Sequence, residues 1–483
     1  MSGNDSGFEG VSPWVRGQWR NPSDIFTILL IIGGDIVQTA IAQLCAGPHR
    51  YITPVSFSFG WVSYAISTIR SVMGENRLMP RPELNCMLIN VDSGYARRNC
   101  SWILSRLLRD FDAWRPSSCD VDKTEFLQRL QLINNLDLAE AQKNIQNAIG
   151  EKERREAEAA RRKLPRTEDI RIGLRVTIWN CNSAKRIGSG DFVYWVGLAV
   201  SFIQLCIAIV PWVLYSEWFT FLITAGGTVL AYASGAIPQW QEEKTSVRTL
   251  MKPKSFLLTE GNGAEDVILI RCGPGDIDLE ALASPQRELK SPKTTRIVSL
   301  VLALLWVTLL LTVAGWQQHT WYLVGVGMIG MLHNVAVAGM KRQPAAWGID
   351  IEHEMTIIER KVMKVLHRLE ECHPGAGSAL LQEFFPGKLT SREERLWAHA
   401  EQRCKTWRKR GYPFNTDATA EADDLPPLHR PADRTDDQDI PEGNARYAHS
   451  DFPSTNVELH RATARATFRS DTTLSGDAII TIK

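Results

Sequence analysis

Residues 297–316, IVSLVLALLWVTLLLTVAGW, run for twenty positions without one charged side chain. A bilayer's hydrocarbon core is about 30 Å thick and needs roughly 20 apolar residues at about 1.5 Å rise each. This stretch therefore predicts a membrane helix. Its neighbour, 321–340 (WYLVGVGMIGMLHNVAVAGM), has only His333 and Asn334 as strongly polar members. Upstream, 192–215 (FVYWVGLAVSFIQLCIAIVPWVLY) is also uncharged, and 218–238 follows after only Ser216 and Glu217, which makes an antiparallel hairpin.

Two weaker segments precede these. Residues 25–45 carry Asp35, and residues 52–72 are rich in Ser and Tyr and end near Arg70. Buried helices of a soluble domain are the alternative for both, but periodicity favours the membrane. Asp35, Gln38, Thr39, Ala42 and Gln43 share one helix face, while Ile28 to Ile32 supply an apolar surface. In the second segment Ser56, Gly60, Ser63 and Ser67 form a small-residue stripe suited to close helix packing. The expected fold is mainly α, a six-helix transmembrane bundle.

Charge sets the orientation. Lys and Arg gather before the first span (Arg16, Arg20), after the second (Arg70, Arg77, Arg81) and at the matching ends of the others, including Lys244 and Arg342. The opposite connections hold only Arg50, so basic residues mark the cytoplasmic side and both termini lie there. Six spans satisfy this rule throughout. The 1–24 segment is polar and lacks the features of a cleaved signal peptide.

Three long stretches then face the cytoplasm. Residues 73–190 and 239–294 predict a small α+β domain built from two loops. Its strands are Met87–Val91, 170–178, Ser255–Thr259 and Val267–Arg271, the last two flanking Gly261-Asn262-Gly263, and all could join one mixed sheet. Residues 99–114 and 122–164 predict helices, and Asp276–Leu282 a short one. Residues 341–411 predict a helical region broken at His373-Pro374-Gly375 and Phe385-Pro386-Gly387, and 412–483 a disordered tail.

Composition excludes several function classes. Net charge is +1, which gives no electrostatic basis for a nucleic-acid partner. The nine cysteines form no C-x-x-C pair, so neither a disulfide framework nor a metal site is expected. Phosphate-binding glycine loops, a nucleophile elbow and kinase motifs are absent; His353-Glu354 is followed by Ile357 where a metalloprotease helix requires histidine. Hence neither catalytic residues nor a cofactor are expected. The sequons at Asn4 and Asn99 are cytosolic in this topology and predicted unmodified.

Asp35 carries the sharpest chemistry. A carboxylate at mid-span costs roughly 2.5–3.5 kcal/mol on insertion scales, so it should face the bundle interior or water. With Gln38, Gln43, His333 and Asn334 it makes a candidate intramembrane polar site for a proton or cation. The structural alternative is a hydrogen-bonded residue that only ties helices together. The stripes Gly197/Ser201/Ala208 and Gly227/Ala231/Gly235 read as packing surfaces. No internal repeat or broken helix is visible, which weighs against a transporter.

At three places, NPSDIFTILLIIGGDIVQ (21–38), LLTEGNGAED (257–266) and HPGAGSALLQEFFPGKL (373–389), the sequence resembles a group of integral membrane proteins of filamentous fungi. The likeness covers about residues 20 to 410 and implies a multi-pass protein but no activity. The first functional expectation is a non-enzymatic scaffold or sensor in the lipid bilayer, binding cytoplasmic proteins through residues 73–190. The others are a small-solute or proton-coupled transporter using Asp35, and an accessory protein of a fungal metabolic pathway.

Overall fold

The computed structural model describes residues 33–45, 52–165, 170–181, 192–245, 248–284, 292–315 and 319–410. The chain divides into two compact units, Met1–Ala139 with Pro165–Arg430 and Glu140–Leu164 with Pro431–Lys483. The expected 1–24 segment, residues 25–32 of the first span, and the 412–483 tail lie outside the described residues.

The first unit opens with α1 (Gly34–Leu44) and α2 (Gly60–Gly74). Residues 52–72 are expected as one continuous span, but residues 52–58 are not helical and only α2 is. The 15 residues of α2 reach about 22 Å, short of a bilayer core. Next come β1 (Met87–Asn90), β2 (Ala96–Arg98), α3 (Trp102–Arg109), α4 (Phe111–Trp114), the start of α5 (Ser117–Asn147), α6 (Glu151–Lys163) of the second unit, and β3 (Leu174–Cys181).

The apolar runs fold as α7 (Phe192–Tyr215) and α8 (Phe219–Gly235), then α9 (Pro238–Thr245). After β4 (Lys254–Thr259), β5 (Asp266–Cys272) and α10 (Leu279–Ala283) come α11 (Pro292–Ala314) and α12 (Thr320–Gly339). Among the described residues α7, α11 and α12 are long and apolar enough to cross a membrane; α8 and α9, bent by 43°, make a fourth if the pair is one span.

These helices invert the usual distribution of side chains. The buried positions of α7 are Val193, Gly197, Ser201, Gln204, Ala208 and Pro211. Its bulky Phe202 is 68% exposed, as are Leu304 of α11 at 61% and Leu332 of α12 at 64%. An uncovered apolar belt around a small and polar interior is what lipid as solvent selects.

The sheet has six strands in the order β2-β1-β4-β5-β3-β6, where β6 is Ile351–Glu359. Only β3 and β5 pair in parallel (Val176 opposite Val267); the other pairs are antiparallel. Phe256 and Leu258 of β4 join the core shared with the apolar helices, while Leu257 between them joins the other face. That period of two, apolar on both sides, marks a sheet buried on both faces.

The second face is covered by α13 (Val362–Cys372), α14 (Ala376–Phe384) and α15 (Ser391–Arg410), which contribute Val365, Leu369, Leu380 and Trp397. The breaks at His373 and Phe385 fall where expected. Residues 351–359, expected to be helical, are instead the edge strand β6. Their two-residue alternation Ile351, His353, Met355, Ile357 is satisfied by antiparallel pairing with β3, and that pairing overrides helix-favouring glutamates. The domain therefore draws on three chain segments, not two.

Among its described residues, the second unit holds the C-terminal end of α5 and all of α6. The charges from Glu151 to Glu156, with Arg161 and Arg162, are exposed, as a solvated helix requires.

Candidate polar site between the apolar helices

Residues 52–58, ITPVSFS, begin with a turn at Pro54, where Val55 N donates to Thr53 O at 2.8 Å. From Thr53 onward the segment is buried. Its bed is made of glycines. A Cβ at Gly197 would collide with Pro54 O, and one at Gly330 with Phe57 O and Gln204 Nε2. Gly227, Gly235 and Gly327 face Phe57, Thr53 and Phe59 in the same way. The small-residue stripes thus seat a non-helical segment. Phe57 and Trp61 stack on Trp306 of α11 at 6.2 and 5.4 Å between ring centroids.

Non-helical backbone in an apolar bundle leaves carbonyls that need donors. Gln204 Nε2 donates to Phe57 O and to Val326 O, both at 2.8 Å. Asn334 Nδ2 donates to Ser56 O at 3.0 Å and Ser58 Oγ at 3.3 Å. Trp61 Nε1 donates to Ser56 O at 3.0 Å, and Thr53 Oγ1 to Gly235 O at 2.9 Å. His333 Nδ1 lies 2.9 Å from Ser56 Oγ. Gln204 Oε1, Asn334 Oδ1 and His333 Nε2 are buried and have no hydrogen-bond partner among the described residues.

The five expected site residues separate into three places. His333 and Asn334 belong to this centre. Gln38 and Gln43 lie at one end of the helices, where Gln38 Nε2 donates to Leu78 O at 2.7 Å and Gln43 Nε2 to Met340 O at 2.9 Å. Asp35 joins neither and is exposed. The reason is angular: two helical positions are about 200° apart, and Val37 is fully buried, which turns Asp35 away from the core. Ser58 and Gln204 were not anticipated, and Ser56 was expected only in a small-residue packing stripe, from which it is separated by lying outside α2. Gln204 is the one amide in the apolar run 192–215, and that isolation was the available signal.

The end near Gln43 is a joint of cations, of which Lys244 and Arg106 are buried and Arg342 is half-buried. Lys244, 2% exposed, donates Nζ to Ala42 O at 3.0 Å and Gln43 O at 3.2 Å, capping α1. Arg342 also donates to Gln43 O. From the sheet domain, Arg106 donates Nη2 to Ala338 O at 3.0 Å and Met340 O at 3.1 Å, capping α12. Its Nη1 is held by Glu83 at 3.0 Å. Cations suit helix C-termini, where carbonyls lack partners.

Two pairs in the sheet domain resemble nucleophile–base arrangements. Cys119 Sγ lies 3.4 Å from His353 Nε2, but burial pushes its thiol up, away from the reactive thiolate. Ser255 Oγ lies 3.0 Å from His373 Nε2, and both residues are buried under α13 and the sheet, closed to substrate. Among the described residues no group of three or more His, Cys, Asp or Glu could hold a metal ion. Asn99 Nδ2 donates to Ser101 O at 2.8 Å and is buried, while Asn4 lies outside the described residues. No protein-family profile, curated protein or solved structure matches the chain.

Proposed function

We propose that this chain is a multi-pass membrane sensor without enzymatic activity, in which a polar centre between the spans communicates with a cytoplasmic sheet domain. The supporting observation is the double engagement of α12. Its body carries His333 and Asn334, and its last carbonyls are held by Arg106 of the sheet domain. A helix is stiff over so short a distance, so a shift at one end moves the other. In this reading α7, α8 with α9, α11 and α12 cross the membrane. Residues 52–59 and α2 enter and leave at the sheet-side end, where Thr53 Oγ1 donates to Gly235 O and Leu78 N to Glu243, so the second expected span does not cross. The capping cations gather on the sheet side, which this reading takes as cytosolic. The C-terminal end of α1 lies there too, held by Lys244, so six crossings with both termini cytosolic are not carried over. Soluble partners would then dock on the sheet domain.

Hydrogen exchange on the full chain in lipid nanodiscs tests the coupling. Ser56→Ala is expected to change amide protection in β4 and β5 as well as in α12, and Arg106→Gln to cancel the distant part. Protection that changes in α12 alone overturns the proposal.

A second reading, solute transport, is favoured by the non-helical segment, since broken spans form the binding sites of many transporters. It predicts flux into reconstituted vesicles above that of empty ones, abolished by Gln204→Leu; flux equal to the empty control removes it.

A further inference from the structure

Gln204 and Asn334 are fully buried and His333 is 8% exposed. Each is fixed at one end on residues 56–58: Gln204 Nε2 and Asn334 Nδ2 on backbone carbonyls, and His333 Nδ1 on the Ser56 hydroxyl. The amide orientations are determined, because both nitrogens face oxygen acceptors and a flip would oppose oxygen to oxygen. What remains is two amide oxygens and one imidazole nitrogen, all desolvated and all without a hydrogen-bond partner among the described residues. The His333 ring and the Asn334 amide lie close enough to interact, without a well-formed hydrogen bond between them.

An unpaired buried acceptor costs roughly 1–3 kcal/mol, and three on adjoining side chains at one backbone segment form a costly cluster unless something donates to them. The Ser56 hydroxyl donates or accepts according to the His333 tautomer, and in the tautomer that carries its proton on Nδ1, Nε2 is a lone pair. The set is then acceptor-only and neutral. We propose that it binds a cationic N–H donor, either ammonium or the head of a small primary amine. Amide oxygens replace the hydration shell of a monovalent cation, as carbonyl oxygens do in ion filters. The imidazole nitrogen selects for a donor hydrogen over a bare alkali ion, whose preferred partners are oxygens.

The proposal rests on the polar centre invoked above, but its test reads binding alone and is indifferent to coupling with the sheet. Thermal unfolding of the full chain in nanodiscs is followed at constant ionic strength with ammonium, methylammonium, sodium or choline chloride. Ammonium is expected to raise the midpoint saturably by about 3–5 °C over choline, by mass action on the folded state. An equal rise with methylammonium identifies an amine head as the ligand type; a rise with ammonium alone identifies the free ion. His333→Phe should erase the ammonium advantage over sodium. Calorimetric titration of ammonium into the unmutated chain gives the same answer if that variant fails to fold. No difference among the four salts, or sodium acting as strongly as ammonium, overturns the proposal.

Discussion

At the scale of single residues, the buried groups of the sheet domain predict an unusual silence toward pH. Glu370 is buried with its carboxylate accepting from Gly375 N at 2.7 Å and Ser378 N at 2.9 Å, and desolvation pushes it up to about 7 from 4.5. His373, buried beside Ser255, is pushed down to about 4 from 6.5 for the same reason. Between about 4.5 and 7 the unfolded chain loses the Glu370 proton before the folded one does, so stability falls as pH rises. Between about 4 and 6.5 the unfolded chain binds the His373 proton first, so stability rises with pH. The two slopes oppose each other and nearly cancel. Glu370→Gln should therefore expose a rising slope worth about 3 kcal/mol, and His373→Gln a falling one of similar size. Unfolding midpoints from pH 4 to 7 check this; parallel profiles for all three proteins would show that neither group is held in its neutral form. Lys244 is a second test. Lys244→Met strands the carbonyls at the end of α1 and should lower stability by about 2–4 kcal/mol, with partial recovery in Lys244→Arg. Guanidinium denaturation in nanodiscs measures it.

Among elements, the seat of residues 52–58 makes the clearest prediction. Gly330→Ala places a methyl group against Phe57 O and should cost more than about 3 kcal/mol. Gly325→Ala on the same helix meets nothing within 4 Å and should be neutral or stabilising by up to about 1 kcal/mol. Equal thermal midpoints for the pair would mean that the segment does not lie on α12. The contrast also explains what the sequence could and could not announce. Helices α7, α8, α11 and α12, and strands β1, β3, β4 and β5, are local patterns of period 3.6 or 2 and were legible. The break at residue 59 was not, because it depends on glycines of three helices that are distant in sequence. Strand β6 was not, because its glutamates suit a helix until β3 offers a ladder. In the candidate site, His333 and Asn334 were found as polar residues in an apolar run. Asp35 stands apart from both groups because periodicity gives a face but not its direction.

For the molecule as a whole, the order of strands decides what can stand alone. β1, β2 and β3 lie within residues 73–190, yet β1 reaches β3 only through β4 and β5 from beyond α9. The fragment 73–190 is therefore expected to show no cooperative unfolding by circular dichroism, and partner searches need the full chain; a sharp transition in the fragment would contradict this sheet. The same topology imposes a schedule on synthesis. β6, which covers β3, begins at Ile351, about 260 residues after β1 ends at Asn90. At roughly 5–20 residues per second the ribosome delivers it about 13–50 s after β1. By then α7, α8, α11 and α12 have all left the ribosome. Closure of the sheet edge thus certifies that the apolar helices have already been made, and a chain stalled before Ile351 displays an open β3 edge that chaperones can recognise as unfinished.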